Sequence, residues 1–244
     1  MKIGIIGSGG IGALLVRKFS AAGHTVLVSN SRGPETLKDL AGETGATAVT
    51  AADAVKGVDV IITSIPFGKM PDLKGIFASV AADVVVIDTS NYYPQRDGHI
   101  SAVDDGQVES VWVQEQIGHP IVKAWNSVLA ASLKTKGLPK GAEGRIALSV
   151  AGDDADAKKI GLELVEATGF DAIDGGTLEQ SWRQQPGSPG YCVDITADEL
   201  RHALTVTDRK KATRNRDMFI ERLLALGDKA TGADQLRLNR ELNR

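Results

Sequence analysis

A strand that runs directly into a glycine loop is the feature that most restricts what this chain can become. Residues 1–6 are short and apolar, and Gly7-Ser8-Gly9-Gly10-Ile11-Gly12 follows without a spacer and opens a helical pattern. The G-x-G-x-x-G spacing alone recurs by chance, but between a strand and a helix it gives each glycine a task. Gly7 permits the tight turn, Gly9 lets a pyrophosphate approach the backbone, and Gly12 lets the helix pack close to the sheet. The helix N-terminus adds unpaired N–H groups and partial positive charge, which favour an anion. Gly7, Ser8, Gly9, Gly10, Ile11 and Gly12 are therefore read as the phosphate segment of a dinucleotide site. The plainer alternative is a tight turn with no ligand.

The rest of the first hundred residues keeps the same alternation. Apolar runs at 24–29, 46–49, 58–65 and 83–88 read as strands, with helical patterns at 11–22, 34–43 and 53–56 between them. The runs VDVIITSI and DVVVID lack polar alternation, as expected of central parallel strands covered on both faces. Strands separated by helices indicate right-handed crossovers. Further strands are expected at 109–113, 121–124, 145–151 and 170–173. A helix capped by Asp153 and Asp154 and stopped by Gly169 is expected between the last two. The fold class is α/β: a Rossmann-type doubly wound parallel sheet over residues 1–140, then a smaller C-terminal α/β domain over 141–244 for the acceptor and for dimerisation. The glycine-rich stretch 137–144 marks the boundary.

Which dinucleotide binds is decided about twenty residues after the loop. A strand specific for NAD ends in a carboxylate that accepts hydrogen bonds from the ribose hydroxyls, and a carboxylate would repel a 2′-phosphate. Here the position holds Asn30, followed by Ser31 and Arg32. A hydroxyl and a guanidinium suit a phosphate, because arginine can donate two charge-assisted hydrogen bonds to it and stack on the adenine. The reading is NADP(H), with a plain turn and a solvated arginine as the alternative.

In a doubly wound sheet the ligand lies over the carboxyl ends of the strands. That makes Ser64, Ile65, Pro66 and Phe67 suspects after the fourth strand, and Asp88 to Tyr93 after the fifth. Phe67 either walls the nicotinamide or belongs to the core; Asp88-Thr89-Ser90-Asn91 either floors the site or simply ends the strand. Among four histidines, His119 is the one candidate acid, with a structural role as its alternative. Hydride transfer to a flavin-like ring does not require such an acid. The basic run from Arg209 to Arg216 reads as a solvated helix face or as a dock for an acidic substrate.

Composition closes off other classes. The 244 residues carry a net charge of −3, which gives no footprint for nucleic acid. One cysteine, Cys192, allows neither a disulfide framework nor a cysteine-rich metal site, and suits a reducing cytoplasm. No window approaches a membrane span, and the first residues are too short and glycine-rich for a signal peptide. A cytoplasmic protein with no metal, membrane or nucleic-acid partner is expected.

The glycine loop, Asn30-Ser31-Arg32, Lys123-Ala124-Trp125-Asn126 and Gly175-Gly176-Thr177-Leu178 together resemble one family, from residue 1 to about 180. It is the family of NADPH-dependent reductases of the deazaflavin coenzyme F420, whose plan the reductase domain of the STEAP metalloreductases shares. The family's Lys-Ala-Phe-Asn stands here with Trp125 in place of Phe. The resemblance implies a Rossmann domain binding NADP, with Ser31 and Arg32 on the 2′-phosphate and Asn91, Ala124 and Asn126 at the cofactor. It also implies a smaller domain that closes a cleft over a ring acceptor, F420 or FMN/FAD, and a homodimer. The chain departs from the compact reductase at residues 181–192 and in the charged tail, where Trp182, Arg183 and Tyr191 are candidates to line the acceptor site or a dimer contact. Two other readings remain: a reductase of a small imine or hydroxy acid, and a non-catalytic NADP sensor that binds a partner through its basic C-terminal helices.

Overall fold

The structure is a computed structural model and describes residues 1–227 and 230–243 of the chain. In order the first half runs β1 (Lys2–Ile6), α1 (Gly10–Ala21), β2 (Thr25–Ser29), α2 (Lys38–Thr44), β3 (Thr47–Ala48), α3 (Ala51–Ala54), β4 (Val60–Thr63), α4 (Lys74–Phe77) and β5 (Val85–Asp88). Then come α5 (Pro94–Asp97), α6 (Ser101–Asp104), α7 (Glu109–Ile117), β6 (Val122–Lys123) and α8 (Ala130–Thr135). The last third holds β7 (Ala147–Gly152), α9 (Ala155–Ala167), β8 (Asp171–Asp174), α10 (Ala197–Val206), α11 (Arg209–Leu226) and α12 (Gly232–Leu242).

The strands form one sheet of eight in the order β3-β2-β1-β4-β5-β6-β7-β8. Strands β1 to β6 pair in parallel; β7 then joins β6 antiparallel, Val122 facing Gly152, and β8 pairs parallel with β7. The sheet thus continues through the glycine-rich 137–144 connection, with its direction reversed at the last two strands. Chain order reverses between β1 and β4, and at such a switch point the loops above the carboxyl ends of the strands part to leave a crevice.

Two apolar layers enclose the sheet. Ile3 and Ile5 of β1, Val60 and Ile62 of β4 and Ile87 of β5 face Leu15, Val16, Phe19 and Leu164 of α1 and α9. The alternate residues Ile6, Ile61 and Val86 face the other way, toward Phe67, Met70, Phe77, Trp112 and Val113. A strand buried on both sides needs apolar residues at every position, which is why these segments read as unbroken hydrophobic runs.

The sequence-based strand at 109–113 is a correction: these residues begin α7. Glu109, Trp112, Val113 and Ile117 are buried, three to four residues apart, and Trp112 stacks on Phe67 at 4.6 Å between ring centres. Glu-Ser-Val-Trp-Val is rich in β-formers, but burial of one helical face overrides that local preference.

Candidate active site

The glycine loop has the geometry its spacing implies. Gly7 has φ +110°, and a Cβ there would lie 2.1 Å from the Ser64 carbonyl oxygen. A Cβ on Gly12 would lie 2.0 Å from the Gly7 carbonyl oxygen, so the close approach of helix and turn excludes any side chain. Around Gly9 there is open space: a Cβ would meet nothing within 4 Å. Gly9 is the N-cap of α1 and supplies no side-chain cap, so the first turn of the helix faces outward with its N–H groups available to an anion. One glycine is needed for conformation, one for packing and one for access.

Asn30 ties the end of β2 to this loop. Its side-chain amide donates to Ser8 Oγ (3.3 Å) and Thr36 Oγ1 (2.9 Å), and its carbonyl oxygen accepts from the Arg32 backbone N–H (2.9 Å). The turn that results leaves Ser31 and Arg32 exposed beside the glycine loop, and no described residue pairs with the guanidinium. The neighbouring β4–β5 side adds Ser64, whose N–H donates to the Ile6 carbonyl (2.8 Å), with Ile65 half-buried and Pro66 exposed.

Beyond the loop lies a cavity of about 570 Å³. Gly10 and Ile11 form its near wall and Trp125 and Asn126 its floor; Tyr93, Tyr191 and Cys192 stand opposite, with Phe219 and Leu223 of α11 and Asn239 of α12 above. The floor is rigidly held. Asn126 donates to Asn91 Oδ1 (3.1 Å) and the Gln184 carbonyl (2.8 Å) and accepts from Gln184 Nε2 (2.9 Å); Asn91 donates back to the Asn126 carbonyl (2.8 Å). Trp125 has φ +54° and Cys192 φ +53°. Backbone in this region costs about 1–3 kcal/mol in a non-glycine residue, and such residues persist where the surroundings fix them, often at a site.

Comparison with known proteins bears on this geometry. Residues 2–92 match the family described as NADP oxidoreductase, coenzyme F420-dependent. Protein YjhV of Escherichia coli K12 is 35% identical over 106 residues, which is 43% of this chain and 77% of that protein. The crystal structure of the hypothetical protein SMa0349 from Sinorhizobium meliloti is 31% identical with a TM-score of 0.62, covering 74% of this chain and 87% of that one. This chain belongs to the F420-dependent NADP oxidoreductase family. The fold agrees: a structure from Arthrobacter sp. FB24, provisionally described as an F420-dependent NADP-reductase, superposes over 93% of this chain and 95% of its own with a TM-score of 0.63 at 18% identity. The coarse activity that goes with the family is NADP-dependent oxidoreduction.

Within the family frame, some residues singled out from sequence lie elsewhere. His119 is not at the site. Its ring is within hydrogen-bonding distance of the Pro120 and Ala81 carbonyls (2.9 and 3.2 Å), which precede β6 and β5, at the amino ends of the strands and so at the end of the sheet away from the glycine loop. Phe67 is fully buried between Trp112 and Tyr92 and belongs to the core. Ala124 is likewise buried; its backbone N–H donates to the Asp88 carbonyl (3.2 Å), so it fixes the strand end that presents Trp125 and Asn126. Trp182 stacks with Arg183 and Arg209, away from the cavity, while Tyr191 lines it. In the basic run, Arg209 donates to the Gly106 carbonyl and Arg216 lies over the Tyr92 ring, so both serve to dock α11.

Asp88 lies beneath the site, with none of its surface exposed. Its carboxylate accepts from Thr63 Oγ1, Ser90 N, Ser90 Oγ and Lys123 Nζ (2.6 Å). Thr89 and Asn91 face the cavity above it. Close by, Glu109 accepts from the Tyr92 N–H (3.1 Å) and is pushed up to about 7, mainly because burial penalises its charge, with Asp88 adding to the rise and Lys123 and Arg216 opposing it. A carboxyl raised in the folded state favours folding while protonated, and that advantage is lost as pH rises from the usual carboxylate range through about 7. Glu109→Gln is therefore expected to flatten the fall in stability between pH 5 and 8, a difference of roughly 3 kcal/mol from a shift worth about 1.4 kcal/mol per pH unit. Urea unfolding at the two pH values measures it; equal slopes in wild type and variant would rule it out.

Proposed function

We propose that this protein transfers hydride from NADPH to a planar deazaflavin or flavin ring, with F420 the leading acceptor. One observation carries the reading. The cavity of about 570 Å³ begins at the glycine loop and continues, with mostly apolar lining, to the C-terminal helices, so cofactor and acceptor would lie side by side in it. Ser31 and Arg32 would take the 2′-phosphate, the Gly7–Gly12 turn the pyrophosphate, and Asn91 and Asn126 the nicotinamide end. When bound, NADPH supplies the hydride. The chain's own residues position the two rings and keep out water, conditions that provide much of the rate gain in such transfers. The family membership supports NADP, and its name supports F420.

The test is oxidation of NADPH by the purified protein, followed by loss of absorbance, with F420, FMN, FAD and a panel of small aldehydes and cyclic imines as acceptors. Turnover at a rate of order 1–10³ s⁻¹ with a ring acceptor is expected. Turnover confined to small carbonyls or imines would replace the ring acceptor with a small-molecule substrate.

A further inference from the structure

Two tyrosines from distant parts of the chain meet inside the acceptor chamber. Tyr93 follows β5, Tyr191 precedes α10, and their hydroxyl oxygens lie 2.7 Å apart. Both line the cavity, where Trp125, Leu129 and Phe219 supply mostly apolar walls. In any such pair one hydroxyl donates to the other, and the second keeps its own O–H. The pair thus carries one O–H beyond its mutual hydrogen bond, and the neighbour it also meets is the Cys192 thiol, a weak acceptor beside Tyr191. Burial pushes both phenols up from their ordinary value, so the pair remains protonated at neutral pH.

The pair is also held from both sides. Tyr93 is set by its N–H donating to Asp97 Oδ2 (3.0 Å), with the Arg96 guanidinium over its ring at 5.5 Å. Tyr191 is set by Asn243, which donates to its carbonyl (3.2 Å), and by Cys192 at φ +53°, whose N–H donates to the Ser127 carbonyl (3.0 Å). A fixed donor set against apolar walls stabilises charge that develops during reaction more than one in water does, because the side chain need not reorient.

We propose that the Tyr93–Tyr191 pair donates a hydrogen bond to a carbonyl oxygen of the acceptor, the oxygen that takes up electron density as the hydride arrives. The inference rests on the hydride-transfer reading above and specifies which acceptors the chamber selects. The C4–H bond of NADPH breaks with its electron pair, and a new bond to that hydrogen forms on the acceptor: C–H at C5 of a deazaflavin or at an aldehyde carbon, N–H at N5 of a flavin. The displaced electron pair of the acceptor moves along the conjugated path to the oxygen, where the phenolic O–H meets the growing negative charge. NADP⁺ results, and a proton from water completes the reduced acceptor. Both the ring carbonyls of a deazaflavin or flavin and the carbonyl of a simple aldehyde satisfy this requirement; a cyclic imine without a carbonyl does not.

Tyr93→Phe, Tyr191→Phe and the double variant test it. Phenylalanine keeps the ring and its packing, and thermal melts confirm folding; should Tyr191→Phe fail to fold, Tyr93→Phe alone decides. NADPH affinity, read by fluorescence titration, is expected to stay within about twofold. The kcat with the carbonyl-bearing acceptor is expected to fall about 100-fold in the double variant, the scale of losing the donor. Each single variant should lose about tenfold or more, since the hydroxyl that remains has lost the partner that aims it. An unchanged kcat in both singles overturns the proposal, as does a lowered melting temperature with kcat intact, which would make the pair a structural clasp. If wild type rejects every ring but reduces aldehydes, and the variants lose that rate, the ring reading fails and the tyrosine pair stands. If wild type reduces only imines, or nothing, the pair's role is refuted.

Discussion

Replacing Arg32 with alanine is expected to weaken NADPH binding about 10- to 150-fold while changing NADH binding by less than threefold. The range follows from the net loss of one charge-assisted hydrogen bond to the phosphate, worth roughly 1.5–3 kcal/mol. The structural reason for the selectivity is local. Asn30 receives the Arg32 N–H and shapes the turn, while the exposed guanidinium makes no ion pair with a described residue that the substitution could disturb. Folding and the pyrophosphate segment should therefore be unaffected, and only the ligand that carries a 2′-phosphate should register the change. Arg32→Lys should recover part of the affinity, because an ammonium supplies charge without the planar fork. Isothermal titration with both nucleotides gives the answer. Equal losses for NADPH and NADH would show that Arg32 acts on the shared part of the dinucleotide, and the 2′-phosphate role would be wrong.

The legibility of this site from sequence divides along physical lines. The glycine loop could be read because its demands are local: a positive φ at Gly7 and close approach at Gly12 are imposed within one strand–turn–helix unit. The Asn30-Ser31-Arg32 turn could be read for the same reason, since its hydrogen bonds reach no farther than Ser8 and Thr36. The cavity beyond it could not. Its walls come from the end of β5, the end of β6, the segment before α10, and two C-terminal helices, joined only when the sheet reverses direction at β7. Tyr93 can be read only as one of the residues just past β5 and Tyr191 only as part of an unusual loop; nothing local shows that the two meet. Short segments with mixed signals were also misread. Glu109 to Val113 looks extended because of its β-branched and aromatic residues, and only the packing of Trp112 on Phe67 shows which periodicity is used. His119 draws attention as an isolated histidine, yet its ring is within hydrogen-bonding distance of two backbone carbonyls at the amino ends of β5 and β6, away from the glycine loop.

Lys123 joins the two halves of that picture, because it stands in the Lys-Ala-Trp-Asn motif but its partner is fixed only by tertiary structure. Its ammonium lies 2.6 Å from Asp88 with both side chains almost wholly buried, and it also donates to the Ser90 carbonyl. Truncating one member of such a pair leaves the other charged and desolvated, which commonly costs 3–5 kcal/mol, whereas removing both charges can be close to neutral. Lys123→Met is therefore expected to lose about 3–5 kcal/mol of folding free energy at pH 7, a large part of the roughly 5–15 kcal/mol typical of a domain. Adding Asp88→Asn should restore most of that loss, since an amide retains partners in Thr63 and Ser90 without an uncompensated charge. Function should respond differently. Asp88 and Lys123 hold the ends of β5 and β6, from which Asn91, Trp125 and Asn126 reach the cavity, so the stabilised double variant should still bind NADPH less tightly than wild type. Urea unfolding and NADPH titration on the two single variants and the double separate these effects. A loss under about 1 kcal/mol in Lys123→Met would mean that water reaches Asp88, and the buried pair would not be what holds the floor of the site in place.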